Sequence, residues 1–162
     1  MAGPLRSRPD MPPPSLLNTD DGDWELLEIE VDGACPCSDA LASASDHERA
    51  LVDRKLRLVA AAGMPPDPER GRYVYERAGR YDLRRKGVRI TVYVLKCKPG
   101  PWRLYFYRVP GNTRQIEFLH AVQKKGRKRD PQDFKICCRL VDRIDEGTAE
   151  CRRFGPGQDR AP

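Results

Sequence analysis

Between Gly87 and His120 the chain is written in period two, and two breaks interrupt it that no continuous strand accommodates. Gly87 to Cys97 sets Val88, Ile90, Val92 and Val94 against Arg89, Thr91 and Tyr93. Successive side chains of a strand leave on opposite faces, so this alternation describes a strand with one apolar side. Pro99-Gly100-Pro101 ends it, because proline brings no N–H to a ladder and fixes its own φ. Trp102 to Val109 then puts Leu104 and Phe106 on one face and Arg103, Tyr105 and Tyr107 on the other. Pro110-Gly111 suits the two central positions of a type II turn, and Arg114 to His120 returns with Ile116 and Phe118 on one face. Strands joined by such short breaks pair as antiparallel neighbours.

The flanks supply the helices. Trp24 to Val31 reads as a first strand, and Asp32 to Ala44 as a loop or short helix. Ser45 and Glu48 form a capping box that opens a helix with Val52, Leu56 and Val59 on its apolar stripe. Gly63 ends it, and Pro65-Pro66 prevent its continuation. Pro65 to Lys86 is charged and without clear periodicity, with a short strand at Tyr73 to Glu76. Asp130-Pro131 starts a second long helix, an acidic N-cap followed by proline at the first position. Phe134, Cys137, Cys138, Val141 and Ile144 are its buried stripe, and Gly147 closes it. The expected class is α+β, a small antiparallel sheet with helices packed on one face.

A length of 162 residues suits one domain, at roughly 100–200 residues per domain. Residues 1–23 hold Pro12-Pro13-Pro14 and an acidic cluster, so they are expected to be a disordered tail. The domain then covers residues 24–147, and residues 148–162 are a flexible C-terminal tail. No run of about 18 apolar residues exists to span a membrane, and prolines stand where a signal peptide has its apolar core. Six cysteines are too few for a disulfide scaffold in a chain of this size, which points to a reduced, cytoplasmic protein.

The net charge of +6 conceals an imbalance. Arg84 to Arg143 carries 17 Lys or Arg against 4 Asp or Glu, a local +13 that leaves −7 for the rest. Such a basic half fits a polyanionic partner, since each neutralised phosphate releases counterions. Arg103, Tyr105 and Tyr107 share one strand face; Lys96 and Lys98 end the preceding strand. Lys124, Lys125, Arg127, Lys128 and Arg129 leave the last one. Together they describe a basic surface whose cations hold phosphates and whose tyrosine rings stack unpaired bases. RNA cleavage needs no metal there: the ribose 2′-OH attacks the adjacent phosphate once it is deprotonated and the phosphorane charge is stabilised. Clustered lysines lower one another's pKa and suit the base, and an arginine suits the phosphate.

The stretch Val92 to Pro131, with a lysine before the turn, an Arg-aromatic strand after it and a Leu119-His120-x-x-x-Lys124-Lys125 ending, resembles the core of RelE/HigB-type toxins. The resemblance extends loosely over Trp24 to Glu146. It implies a compact microbial-RNase-like fold, no cofactor, and mRNA cutting at the ribosomal decoding site. It also implies neutralisation by a cognate helix-turn-helix-type antitoxin. Matched position by position, Lys96 falls on the family's lysine, Arg103 on its phosphate-binding arginine, and Lys128 on a basic residue at the scissile phosphate. Phe134 falls where RelE has a catalytic tyrosine; without a hydroxyl it can only stack. The long acidic N-terminal part is a second departure.

Alternatives stand beside several of these residues. Lys96 shares parity with Val92 and Val94, so it sits at a core edge unless a bulge turns it. His120 shares parity with Ile116 and Phe118, as a hydrogen-bonded histidine at the core edge or as a general base. Tyr105 and Tyr107 can also pack under a loop. Cys35-Pro36-Cys37 and Cys137-Cys138 lack the spacing of a zinc knuckle, so no metal site is expected. At the level of function, the alternatives to an endoribonuclease are a ParE-like inhibitor of DNA gyrase and an RNA-binding module without cleavage.

Overall fold

The computed structural model describes residues 24–62, 74–111, 114–124 and 130–154. In chain order these form β1 (Glu25–Glu30), α1 (Pro36–Leu41), α2 (Asp46–Ala62), β2 (Val74–Leu83), β3 (Val88–Lys96), β4 (Trp102–Arg108), β5 (Gln115–Gln123), α3 (Pro131–Asp145) and β6 (Glu150–Arg153). The alternating centre becomes the expected meander: β3 pairs antiparallel with β4, and β4 with β5. One six-stranded sheet results, in the order β2-β3-β4-β5-β1-β6, with β1 parallel to β5 and the other pairings antiparallel. The fold is α+β. Among the described residues, no helix is long and apolar enough to cross a membrane.

The helices cover both faces of this sheet, which corrects the expected one-sided packing. On the first face, Cys37 and Leu41 of α1 and Val52, Leu56 and Val59 of α2 pack on Leu95, Leu104, Phe106, Ile116 and Phe118. On the second, Cys137 and Val141 of α3 pack on Ile90, Val92, Val94, Tyr105, Tyr107 and Leu119. The second face was legible on β3 as its Val/Ile side. On β4 the same face carries tyrosines, whose rings are apolar enough to bury once their hydroxyls find partners.

Local signals set the helix ends. Ser45 Oγ accepts from the Glu48 N–H at 3.1 Å, and Glu48 Oε1 accepts from the Ser45 N–H at 3.2 Å. The same Glu48 oxygen accepts from Trp102 Nε1 at 2.9 Å, so the cap also ties α2 to β4. At α3, the Asp130 carboxylate accepts from the Gln132 N–H at 3.0 Å, and Gly147 leaves the helix at φ +80°.

Two stretches differ from expectation. The segment without periodicity becomes the ten-residue edge strand β2, with an irregularity between Arg77 and Gly79. That break in register scrambles its period-two pattern. Residues 148–154, expected in a flexible tail, continue the fold: β6 pairs with β1, and Phe154 is buried against Phe118 at 5.1 Å between ring centroids. All four β6 residues are exposed, so the strand carries no apolar alternation to announce it. The expected tail at residues 1–23 and the helix stop at Gly63 lie outside the described residues.

Phe154 tests this boundary. We expect Phe154→Ala to cost about 3–5 kcal/mol, the range for emptying a buried aromatic site. Urea unfolding should show the midpoint falling with little change in slope. A loss under about 1 kcal/mol would place Phe154 outside the cooperative core.

Candidate functional site

The register assembles the site at one end of the sheet. Lys96 stands opposite Arg103, and Arg103 opposite Val122; one step inward, Val94, Tyr105 and His120 form the next row. His120 reaches this row through a β-bulge. Tyr105 pairs with His120 but Phe106 pairs with Phe118, so Leu119 is the extra residue and parity changes across it. His120 therefore stands on the α3 face beside Tyr105, with ring centroids 5.5 Å apart, and not with Ile116 and Phe118 as strict alternation expects.

Asp133 completes the cluster. It lies in the first turn of α3, where the helix dipole favours a negative charge, and it is buried. Its Oδ1 lies 3.0 Å from His120 Nε2, and its Oδ2 accepts from the Tyr105 hydroxyl at 3.4 Å. An ionised carboxylate only accepts, so a neutral imidazole that donates to it from Nε2 carries its lone pair on Nδ1. Among the described residues Nδ1 has no hydrogen-bond partner, and the side chain keeps 16% of its exposure. An imidazole oriented by a carboxylate, with part of its side chain reaching solvent, is an arrangement that suits a general base.

The cations gather around it. Arg103 donates to the carbonyls of Trp102 at 3.0 Å and Gly100 at 3.4 Å, which folds its guanidinium toward the turn. Among the described residues no carboxylate pairs with it. His120 is its diagonal cross-strand neighbour, a separation of about 7–8 Å that a long side chain spans. Lys96 is half-buried on the same face, as its parity expects, with Nζ 3.1 Å from Glu76 Oε1. Lys98 is exposed in the turn, and the Lys124 N–H donates to the Pro101 carbonyl at 2.8 Å, which brings the end of β5 alongside. Thus Lys96, Lys98, Arg103, His120 and Lys124 share one end of the sheet. Lys125, Arg127, Lys128 and Arg129 lie outside the described residues.

The aromatic residues are corrected. Tyr105 and Tyr107 are 1% and 3% exposed beneath α3, so neither presents a ring to a base. Phe134 is a packing residue as well: its ring fills the space over Gly79, where an added Cβ would stand 2.6 Å from Cζ. The Tyr107 hydroxyl donates to Glu117 Oε1 at 2.9 Å, and the Cys151 thiol donates to Glu117 Oε2 at 2.8 Å. Burial pushes the Glu117 carboxyl above the usual glutamate range, and these two donors offset that only in part.

Sequence reasoning missed Asp133, although a signal existed: Asp133, Cys137 and Val141 repeat every four residues, so the carboxylate belongs to the buried stripe. Among the described residues no three His, Cys, Asp or Glu side chains come together as metal ligands. Cys37 and Cys137 are buried, and burial raises the Cys137 thiol pKa. Comparison with protein-family models, with characterised proteins and with solved structures finds no match for this chain.

Glu117 gives a pH signature. Its folded pKa is raised, so the folded state keeps this proton to higher pH than the unfolded chain does. The resulting stability is full below the ordinary value of 4.5 and is lost as pH rises through the folded value. In urea midpoints taken from about pH 4 upward, Glu117→Gln should lack this decline. Equal slopes in the two proteins would show that Glu117 does not titrate differently on folding.

Proposed function

We propose that this chain cleaves RNA without a metal, as a ribosome-dependent mRNA endonuclease toxin neutralised by a cognate antitoxin. The observation that carries this reading is the juxtaposition of Arg103, Lys96 and the Asp133-oriented His120, with Lys98 and Lys124 alongside. The resemblance of Val92 to Pro131 to RelE/HigB-type toxins supplies the substrate, the ribosome and the antitoxin. The α+β class is one that the RelE-like fold implied by the resemblance shares.

The chemistry assigns each group a part. His120 Nδ1 takes the proton of the ribose 2′-OH, and the alkoxide attacks the adjacent phosphorus. Arg103 swings from its carbonyl contacts to the phosphorane oxygens, where paired N–H donors match the developing charge. The 5′-oxygen leaves with a proton from an ammonium of the cluster, for which Lys96 is placed. The products are a 2′,3′-cyclic phosphate and a free 5′-hydroxyl, so atoms and charge balance with no added reactant. A histidine base replaces the lysine base expected from composition, because Lys96 is engaged by Glu76 whereas the His120 Nδ1 lone pair is available.

The test is 5′-end mapping of cellular mRNA after brief induction of the native chain, Arg103→Ala and His120→Ala. Native chain should create new ends in translated frames, and each variant should lower their yield by about 100-fold or more while folding normally. Growth arrest without new RNA ends would transfer the reading to a ParE-like gyrase inhibitor or to RNA binding without cleavage. Full cleavage by folded Arg103→Ala would remove the assigned site.

A further inference from the structure

Helix α3 sorts its charges by direction. Asp133 turns inward to His120 and Tyr105. Asp142 accepts from the Tyr81 hydroxyl through both oxygens, at 2.7 and 2.9 Å. Asp145 accepts from the backbone N–H groups of Arg85 at 2.9 Å and Lys86 at 3.2 Å, which docks the β2–β3 turn on the C-terminal end of the helix. Arg143 is engaged by Asp32 and Thr148. Two cations remain, Lys135 and Arg139, exposed and four residues apart on the outward side. Among the described residues neither has an ion-pair partner.

Arg84 and Arg85 extend this line, both exposed in the turn that Asp145 holds. Lys86, in the same turn, is close enough to Glu117 to lower its pKa; the exposed acids at this end are Glu146 and Asp82, and Asp82 is paired with Arg89 at 2.8 Å. The N-terminal end of α3 meets the His120–Tyr105 row and its C-terminal end meets the turn, so the line starts at the proposed cutting site and leads away from it. Its length follows from 15 helical residues at about 1.5 Å each, roughly 22 Å. Lys135 and Arg139 are one turn apart, about 6 Å of rise, comparable with the separation of neighbouring phosphates on a strand.

We propose that Lys135, Arg139, Arg84 and Arg85 form a second RNA-contact surface that takes backbone phosphates of the same strand beyond its scissile phosphate. This rests on the reading of the chain as an RNA-cleaving protein, and adds to it how the strand is held. The contacts are to phosphates, with no base edge read, so the surface gives affinity without sequence preference. Its inward carboxylates already have donors, so a strand laid along the outward side meets cations with few opposing charges.

Binding of 2′-O-methyl single-stranded RNA, which lacks the attacking hydroxyl, tests this with the full chain. Oligonucleotides of about 4 and about 16 nucleotides are compared at several salt concentrations. The native chain should bind the longer one more tightly. Lys135→Ala/Arg139→Ala, two exposed positions, should remove most of that advantage and leave the short one unchanged. The slope of log affinity against log salt should fall by about 1.4, two contacts of about 0.7 each. Arg103→Ala should instead weaken both lengths. Equal affinities and slopes for the native and double-variant chains on the long strand would overturn the second surface while leaving the cutting site standing. A loss seen only on intact ribosomes would overturn it too, by assigning α3 to the ribosomal surface. Native chain that binds neither length and makes no new mRNA ends would overturn the underlying reading as well.

Discussion

A buried carboxylate with two donors holds this molecule's working end together. Asp133 lies beneath the first turn of α3, and removing a charge from water is costly unless hydrogen bonds replace the lost hydration. His120 and Tyr105 supply those bonds. The same contact therefore seats α3 on the sheet, buries the tyrosine ring and orients the imidazole. Glu117 repeats the arrangement further along β5 with Tyr107 and Cys151, and Glu28 repeats it under α1 with the N–H and hydroxyl of Ser38 at 3.1 and 2.6 Å. Three acids inside a small sheet are a constraint on packing, because each must arrive together with its donors.

This constraint explains which parts of the architecture could be read in advance. β3 and β4 alternate cleanly, and α2 and α3 carry their N-caps in the sequence, so the existence of all four, the ends of the strands, the starts of both helices and the end of α3 were legible to within a residue or two. The register irregularities were not. A bulge leaves no compositional mark, yet the one in β5 moves His120 from the Phe118 face to the Tyr105 face and so creates the candidate base. β6 escaped for a different reason. Its side chains are exposed and it is held by backbone pairing to β1, with Phe154 just beyond it as the buried apolar residue among 150–154.

The tyrosines show how a polar-looking face misleads. Arg103, Tyr105 and Tyr107 alternate on β4, and such a row reads as a solvent-facing aromatic platform. Whether a tyrosine faces water depends on where its hydroxyl can bond, and here two carboxylates on neighbouring elements lie within reach. Neither partner is near in sequence: Asp133 is 28 residues from Tyr105, and Glu117 is 10 residues from Tyr107 across a turn. Period-two reasoning locates the face correctly but cannot supply what covers it. The cations were easier. Lys96, Lys98, Arg103 and Lys124 flank the strand breaks, and pairing hairpins bring strand ends together.

The same sorting of charge gives the basic half its chemical meaning. Of the four acids among the 60 residues from Arg84 to Arg143, Glu117, Asp133 and Asp142 are spent on internal donors and Asp130 on the α3 cap. None of them opposes Arg103, Lys135 or Arg139 in an ion pair. Acids from outside the segment pair with Arg89, Lys96 and Arg143, but at Arg103, Lys135 and Arg139 the counterions must come from solution, and a polyanion would release them. The phosphate affinity proposed for this half would then follow from the packing of the core. The acids that hold α3 and the sheet together are the ones removed from the exterior, so the fold's internal polar contacts and its outward positive potential have a single origin.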